Sequence, residues 1–322
     1  MWPGALFDIT IVVAIIWLAI RSLSSPDMFR SIVIFIVFGF LTALAWVRLA
    51  APDIALADSI IASGITGALL LDAYGHFAKH AKPGVVVGTV ASRRVLTWLV
   101  AAGSLVMFGL LARAVLAIPA DGMGLAPTIF ARLEESGVKS PVTAVLLNFR
   151  GYDTLLEIAV LVLAVIGVLS MRSASSGQVA QQPISPPADP ILSFMTRVLV
   201  PVMVLVSGYL LWAGEHAPGG AFQAGSVIGA AGILLALSGF RRPDWLTPGR
   251  LRLTISIGFI VFLGVGVAPM FFGGTLLQYP PTLAKPLILL IETWLMLSIG
   301  VILASLFLSS AAPRNMGGGE DL

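Results

Sequence analysis

Apolar residues gather in long runs separated by polar stretches rich in glycine and proline. Runs near 6–23, 31–50, 54–73, 95–118, 148–170, 192–213, 222–240, 252–272 and 286–310 are each long enough to cross roughly 30 Å of hydrocarbon as a helix. Isolated strands cannot satisfy their backbone groups in lipid, so the pattern predicts an all-α integral membrane protein of about nine transmembrane helices. The first basic residue after the opening run, Arg21, follows that run instead of preceding it, so the run reads as a retained helix and not as a cleaved signal.

Basic residues in alternate loops set the orientation. One set of loops holds 13 of the 19 Lys and Arg residues, among them Arg21, Arg30, Arg241 and Arg242; the other holds 6, from Arg48 to Lys285. The excess marks the cytoplasmic side, which places the N-terminus outside and the C-terminus in the cytoplasm of an inner (plasma) membrane. Two stretches interrupt the runs. Residues 172–190 are rich in Ser, Gln and Pro and read as a flexible cytoplasmic linker. Residues 119–147, with Pro119, Gly122, Gly124, Glu134, Glu135 and Pro141, read as an external loop with a short interfacial helix. No internal repeat is evident, which argues against a complete inverted-repeat transporter.

Composition agrees with lipid as the main solvent: 58% of residues are hydrophobic and 11% charged, against roughly 25% charged in soluble domains. The chain has no cysteine, so it cannot by itself build a disulfide, a thiolate zinc site or a cysteine-ligated iron–sulfur cluster. Its basic residues belong to loops that orient helices, which gives nucleic-acid binding no support. Nucleophile, phosphate-loop and dinucleotide motifs are missing, and no cofactor is expected.

Carboxylates within apolar runs cost about 2.5–3.5 kcal/mol each on insertion scales and need a reason to be there. Asp53 follows Pro52 at a helix start and is expected to cap exposed N–H groups. Asp58 lies more than a turn inside, beside an i, i+4, i+7 seam of Ser59, Ser63 and Thr66 able to hold water and a transferable proton. Close helix packing through Gly64, Gly67 and Ala68 is the alternative reading of that face. Asp72, near Tyr74 and His76, is expected to be solvated. Asp153 and Glu157 share a helix face; Arg150 is placed to pair with Asp153, leaving Glu157 either to titrate or to be satisfied by a neighbour. Glu292 follows Lys285 by seven residues and either pairs with it or forms a step in an ion path. In the turn around Glu215, His216, Pro218, Gly219 and Gly220, followed by Phe222 and Gln223, a gate and a packed turn are both open, and a lone histidine is poor support for a metal site.

Three blocks carry a family resemblance. FGFLTALAWVRLAAPDIALADSIIASGITGALLL is similar to the region near the C-terminus of the large A component of Mrp-type cation/proton antiporters, also found as a small component of membrane-bound hydrogenases. NFRGYDTLLEIAVL resembles the module that follows it, and LLWAGEHAPGGAFQAGSVIGA resembles the B component of the antiporter. Asp58 stands where the family has Glu, and Leu156 replaces the glycine of Asp-Thr-Leu-Gly-Glu. The resemblance implies an A-type C-terminal, hydrogenase D-like module at 1–85, an E-like module at 86–171, the linker at 172–190 and a B-like (MnhB-like) module at 191–322. It implies a membrane subunit of an assembly that exchanges protons for Na+ or another monovalent cation, beside large antiporter-like and small helical partner subunits. Carried over by position, Asp58 and Glu157 become the acids of the ion path, with Asp53, Asp153 and Glu292 as further candidates, and Glu215 to Gln223 the B-type signature. Two rivals stand: a membrane component of a redox-driven complex, and a scaffold with no ion path of its own.

Overall fold

The computed structural model describes residues 3–80, 90–119, 124–175, 190–240 and 247–310. Among the described residues regular structure is helical throughout, as the unbroken apolar runs require. In chain order the helices are α1 (Pro3–Ser24), α2 (Met28–Arg48), α3 (Pro52–Ala57), α4 (Thr66–His80), α5 (Val90–Leu116), α6 (Ala126–Ala131), α7 (Pro141–Ala144), α8 (Gly151–Ser175), α9 (Pro190–Ala213), α10 (Ala221–Leu237), α11 (Pro248–Val267) and α12 (Ala284–Ser310). Two wider, π-helical stretches occur: Asp58–Ile65 joins α3 to α4, and Val145–Phe149 precedes α8.

Eight helices among the described residues are long and apolar enough to cross a membrane. The ninth expected span, 222–240, is α10, an apolar helix of 17 residues, about 25 Å long at 1.5 Å per residue. Starts and stops follow local chemistry: Asp27 accepts from Phe29 N–H ahead of α2, and Thr247 with Pro248 opens α11.

The chain divides into two units. One holds Met1–His76 with Leu133–Leu322; the other, Phe77–Arg132, holds α5, whose span Leu96–Leu116 has no buried residue. In the larger unit α12 is central, with half of its span buried and α8, α9, α10 and α11 against it. Ile288, Ile291, Leu295, Ile299 and Ile302 recur every three or four residues and are all but fully buried. α10 meets α12 through small residues: a Cβ added at Gly225 would stand 2.9 Å from Ile299 Cβ, and one at Gly229 3.1 Å from Leu303 Cβ. Hydroxyls bridge neighbours, Ser298 Oγ donating to Ile255 O at 2.5 Å and Ser207 Oγ to Ala224 O at 2.8 Å.

Within the stretch expected as an external loop, 119–147, the residues Ser136, Val138, Ser140, Thr143, Ala144 and Leu147 are buried in the larger unit. Gly137 allows this, its backbone lying so close to Ala284 and Lys285 that an added Cβ would be 2.9 Å from Lys285 N. The expected short helix is α6 (Ala126–Ala131). Of the expected linker 172–190, residues up to Ser175 complete α8 and 176–189 lie outside the described residues.

Candidate functional site

The expected capping carboxylate, Asp53, makes a longer connection than a cap. Ala51 occupies the N-cap position of α3 and contributes no side-chain hydrogen bond there. Asp53 Oδ1 instead accepts the N–H of Gly219 at 2.9 Å, and Gln223 Nε2 donates to Asp53 O at 3.2 Å. The start of α3 is thereby tied to the turn before α10 across 166 residues of sequence. That turn needs its glycines: Gly220 has φ +111, and a Cβ at Gly219 would lie 2.4 Å from Leu210 O.

Glu292, a buried residue of α12, reaches the same place. Its carboxylate faces the N–H of Ala221, the first residue of α10, and a Cβ at Gly220 would stand 3.0 Å from Glu292 Oε1 and 3.7 Å from Gln223 Oε1. Two carboxylates from α3 and α12 therefore hold amides two residues apart where α10 begins and its dipole favours negative charge. The expected Lys285–Glu292 pair does not form. Seven residues separate them by about 10 Å along the axis, and Lys285 Nζ binds Glu215 Oε1 at 2.6 Å, since the turn lies over the start of α12.

The remainder of the turn is held by the buried 139–143 stretch. Lys139 and Ser140 N–H donate to Glu215 O at 3.0 and 2.8 Å, and Thr143 Oγ1 donates to Gly214 O at 2.5 Å. His216 is exposed and meets Trp212 edge-on at 4.6 Å, Pro218 is exposed, and Phe222 packs on the core. Among the described residues no group of three or more His, Asp or Glu side chains is placed to hold a metal ion.

Asp58 opens the π-helical stretch and finds its partner on another helix: Thr42 Oγ1 on α2 donates to Asp58 Oδ2 at 2.9 Å. The expected seam does not gather around it. Ser59 and Thr66 hydroxyls donate to carbonyls of their own helix, Leu56 O and Ile61 O, while Ser63 Oγ is buried without a partner against Gly39. The reason is geometric, because i, i+4, i+7 share a face at 3.6 residues per turn and drift apart in a wider π-helix. Asp72, expected in water, is half-buried, its Oδ2 enclosed with no partner, and nearby the Phe29 and Tyr74 rings lie 6.0 Å apart.

On α8, Arg150 Nη2 lies 2.5 Å from Asp153 Oδ2, with both side chains more than half exposed. Glu157 faces outward with Leu156, Val160 and Leu163 and pairs with no described residue. The structure thus brings Asp53, Glu292, Gln223 and the Gly219–Gly220 turn together, while Asp58 is bonded to Thr42 and Glu157 faces outward. Thr42, Thr143 and the Arg48–Asp8 pair (2.7 Å) were not singled out in the sequence; alternating charge on α1 and α2, Asp8 within one run and Arg48 at the end of the next, was the one available signal.

What the fold and the site define is a multi-pass, all-α membrane protein whose front and rear parts are hydrogen-bonded at a glycine turn. Residues 13–79 match the MbhD family model, the D component of MBH, and residues 191–309 match the MnhB family model, "Domain related to MnhB subunit of Na+/H+ antiporter". The chain thus carries an MbhD-like domain ahead of an MnhB-like domain, an order that resembles an Mrp-type A/B fusion. It is 28% identical over 265 residues to a probable K(+)/H(+) antiporter A/B protein of Rhizobium meliloti, an alignment covering 73% of this chain and 26% of that one. The chain therefore spans about a quarter of that relative's length. Its fold is shared with the Mrp complex from Dietzia sp. DQ12-45-1b (TM-score 0.73, 21% identity, 96% of this chain and 35% of that one). It is also shared with the archaeal membrane-bound sulfane sulfur reductase (TM-score 0.53, 23% identity, 68% of this chain and 97% of that one).

Proposed function

We propose that this chain is a membrane subunit of a multisubunit antiporter that exchanges protons for a monovalent cation, Na+ or K+, and that its carboxylates serve the proton or ion path. The observation that carries the reading is the turn Gly219–Ala221, where Asp53 and buried Glu292 converge from opposite parts of the chain on amides two residues apart. Acids held by fixed donors in low dielectric exchange protons with little rearrangement, and a junction joining two modules is suited to passing a movement or a proton between them. Asp58, hydrogen-bonded to Thr42, supplies a third acid five residues after Asp53 in the same span. Glu157 faces outward from an apolar helix surface, where a partner subunit of the assembly would cover it.

The proposed organisation keeps modules at 1–85, 86–171 and 191–322, with the N-terminus outside and the C-terminus in the cytoplasm. The test is cation-dependent proton flux in vesicles carrying the whole assembly. Glu292→Gln, Asp53→Asn and Asp58→Asn are expected to lower flux while the subunits still copurify. Unchanged flux in all three, with assembly intact, would leave a scaffold.

The sulfane sulfur reductase fold favours one second reading, a membrane component of a redox-driven complex. With no cysteine, the chain would leave cysteine-ligated clusters to partners. Nickel–iron or iron–sulfur proteins in the gently solubilised complex would select this reading over the first.

A further inference from the structure

At the end of the larger unit remote from the acid-bearing turn, a cleft of ≈ 450 Å3 lies between the last turns of α8 and the first turns of α11, lined by Ile166, Leu169, Ser170, Arg252, Ile255 and Ser256. Its depth in the membrane follows from the spans: Ser170 closes the Gly151–Ser170 span and Arg252 stands three residues inside the Gly249–Phe272 span. This is the level at which hydrocarbon gives way to headgroups. The lining combines one guanidinium and two hydroxyls with the side chains of Ile166, Leu169 and Ile255. α11 carries no acidic residue, and the acids of α8 lie at its other end, Glu157 being thirteen residues, or about 20 Å, from Ser170. The cleft therefore joins a cation and two hydroxyls to apolar side chains.

We propose that this cleft binds an anionic phospholipid, the phosphate held by Arg252 with the Ser170 and Ser256 hydroxyls and the start of an acyl chain laid over Ile166, Leu169 and Ile255. Arginine suits the role because its planar fork offers paired donors to phosphate oxygens and sheds water more readily than an ammonium. Position selects a lipid over a soluble phosphate, since the apolar half of the site would gain nothing from a free anion. Lipid binding here depends neither on the transport reading nor on which side of the membrane is cytoplasmic.

The experiment uses the full chain in its native assembly, exchanged into mixed micelles holding equal phosphatidylglycerol and phosphatidylcholine, with retained lipid measured by native mass spectrometry. Phosphatidylglycerol is expected to be enriched in the wild type. Arg252→Gln should lower that enrichment about tenfold, the usual scale for a lost charge-assisted hydrogen-bond pair, and Arg252→Lys by less. Equal retention of the two lipids by the wild type, or no change in Arg252→Gln, would overturn the proposal. Displacement of the lipid by millimolar glycerol phosphate would overturn the assignment to lipid and leave a soluble-anion site. If Arg252→Gln does not assemble, photoactivatable phosphatidylglycerol applied to the wild type decides: crosslinks within 166–170 or 252–256 support the site, and crosslinks only elsewhere refute it.

Discussion

At the residue scale, two buried hydroxyls without partners make opposite demands. Ser63 Oγ sits where a Cβ on Gly39 would come within 2.4 Å. Ser63→Ala should leave stability within about 0.5 kcal/mol, since no hydrogen bond is lost. Gly39→Ala should cost roughly 1–3 kcal/mol by overpacking, with recovery in the Gly39→Ala, Ser63→Gly double variant; thermal unfolding in detergent measures all three. Tyr279 stands in the turn before α12, outside the spans, and burial raises its phenol above the usual value of 10.0. Folded Tyr279 holds its proton more tightly than the unfolded chain does. Its contribution is therefore complete below about pH 10 and is lost as pH rises further. Tyr279→Phe should match the wild type at pH 7 and flatten the fall in melting temperature between pH 9 and 11.

At the element scale, α10 is short but central to the assembly of the chain. Its glycines let α12 approach so closely that Met296 O would be 2.9 Å from a Cβ at Gly225. Gly225→Val should part the two helices and remove the Ala221 N–H from Glu292, with a loss of roughly 1–3 kcal/mol or more. A residue on the lipid-exposed face of α9, such as Leu205→Val, is the control. The same element shows how far sequence could reach. Small residues recur in AFQAGSVIGA, yet no packing was expected from them, and which helix fills the groove depended on α12 arriving from some 75 residues later. The π-helical stretch at Asp58–Ile65 was not legible either, because a one-residue widening leaves no residue signature and changes only which side chains share a face.

At the scale of the whole molecule, the junction of Asp53 with the Gly219 turn predicts that the two family-matched parts act as one. Asp53→Asn should keep the amide contact through its remaining oxygen but remove the charge, reducing flux severalfold with assembly intact. Asp53→Ala should also weaken the junction by about 1–3 kcal/mol, read as earlier dissociation of the rear helices in a detergent titration. The absence of cysteine makes topology directly measurable. Single cysteines at Ser25 and at Thr275 should be labelled from opposite sides of the membrane by an impermeant maleimide, and labelling from one side would overturn the alternation of spans.

Sequence by itself determined the solvent, the helical class and the place of the eight long spans, because a backbone in hydrocarbon has no other way to satisfy its hydrogen bonds and apolar run length measures the bilayer directly. It also marked most of the acids, for a carboxylate in such a run stands out without reference to any neighbour. Tertiary structure alone decided what those acids touch: Lys285 to Glu215 in place of Glu292, Asp53 to Gly219, Asp58 to Thr42, and Asp72 turned inward. A hydrogen bond acts over about 3 Å, and partners brought that close from 166 residues away are set by how the helices pack.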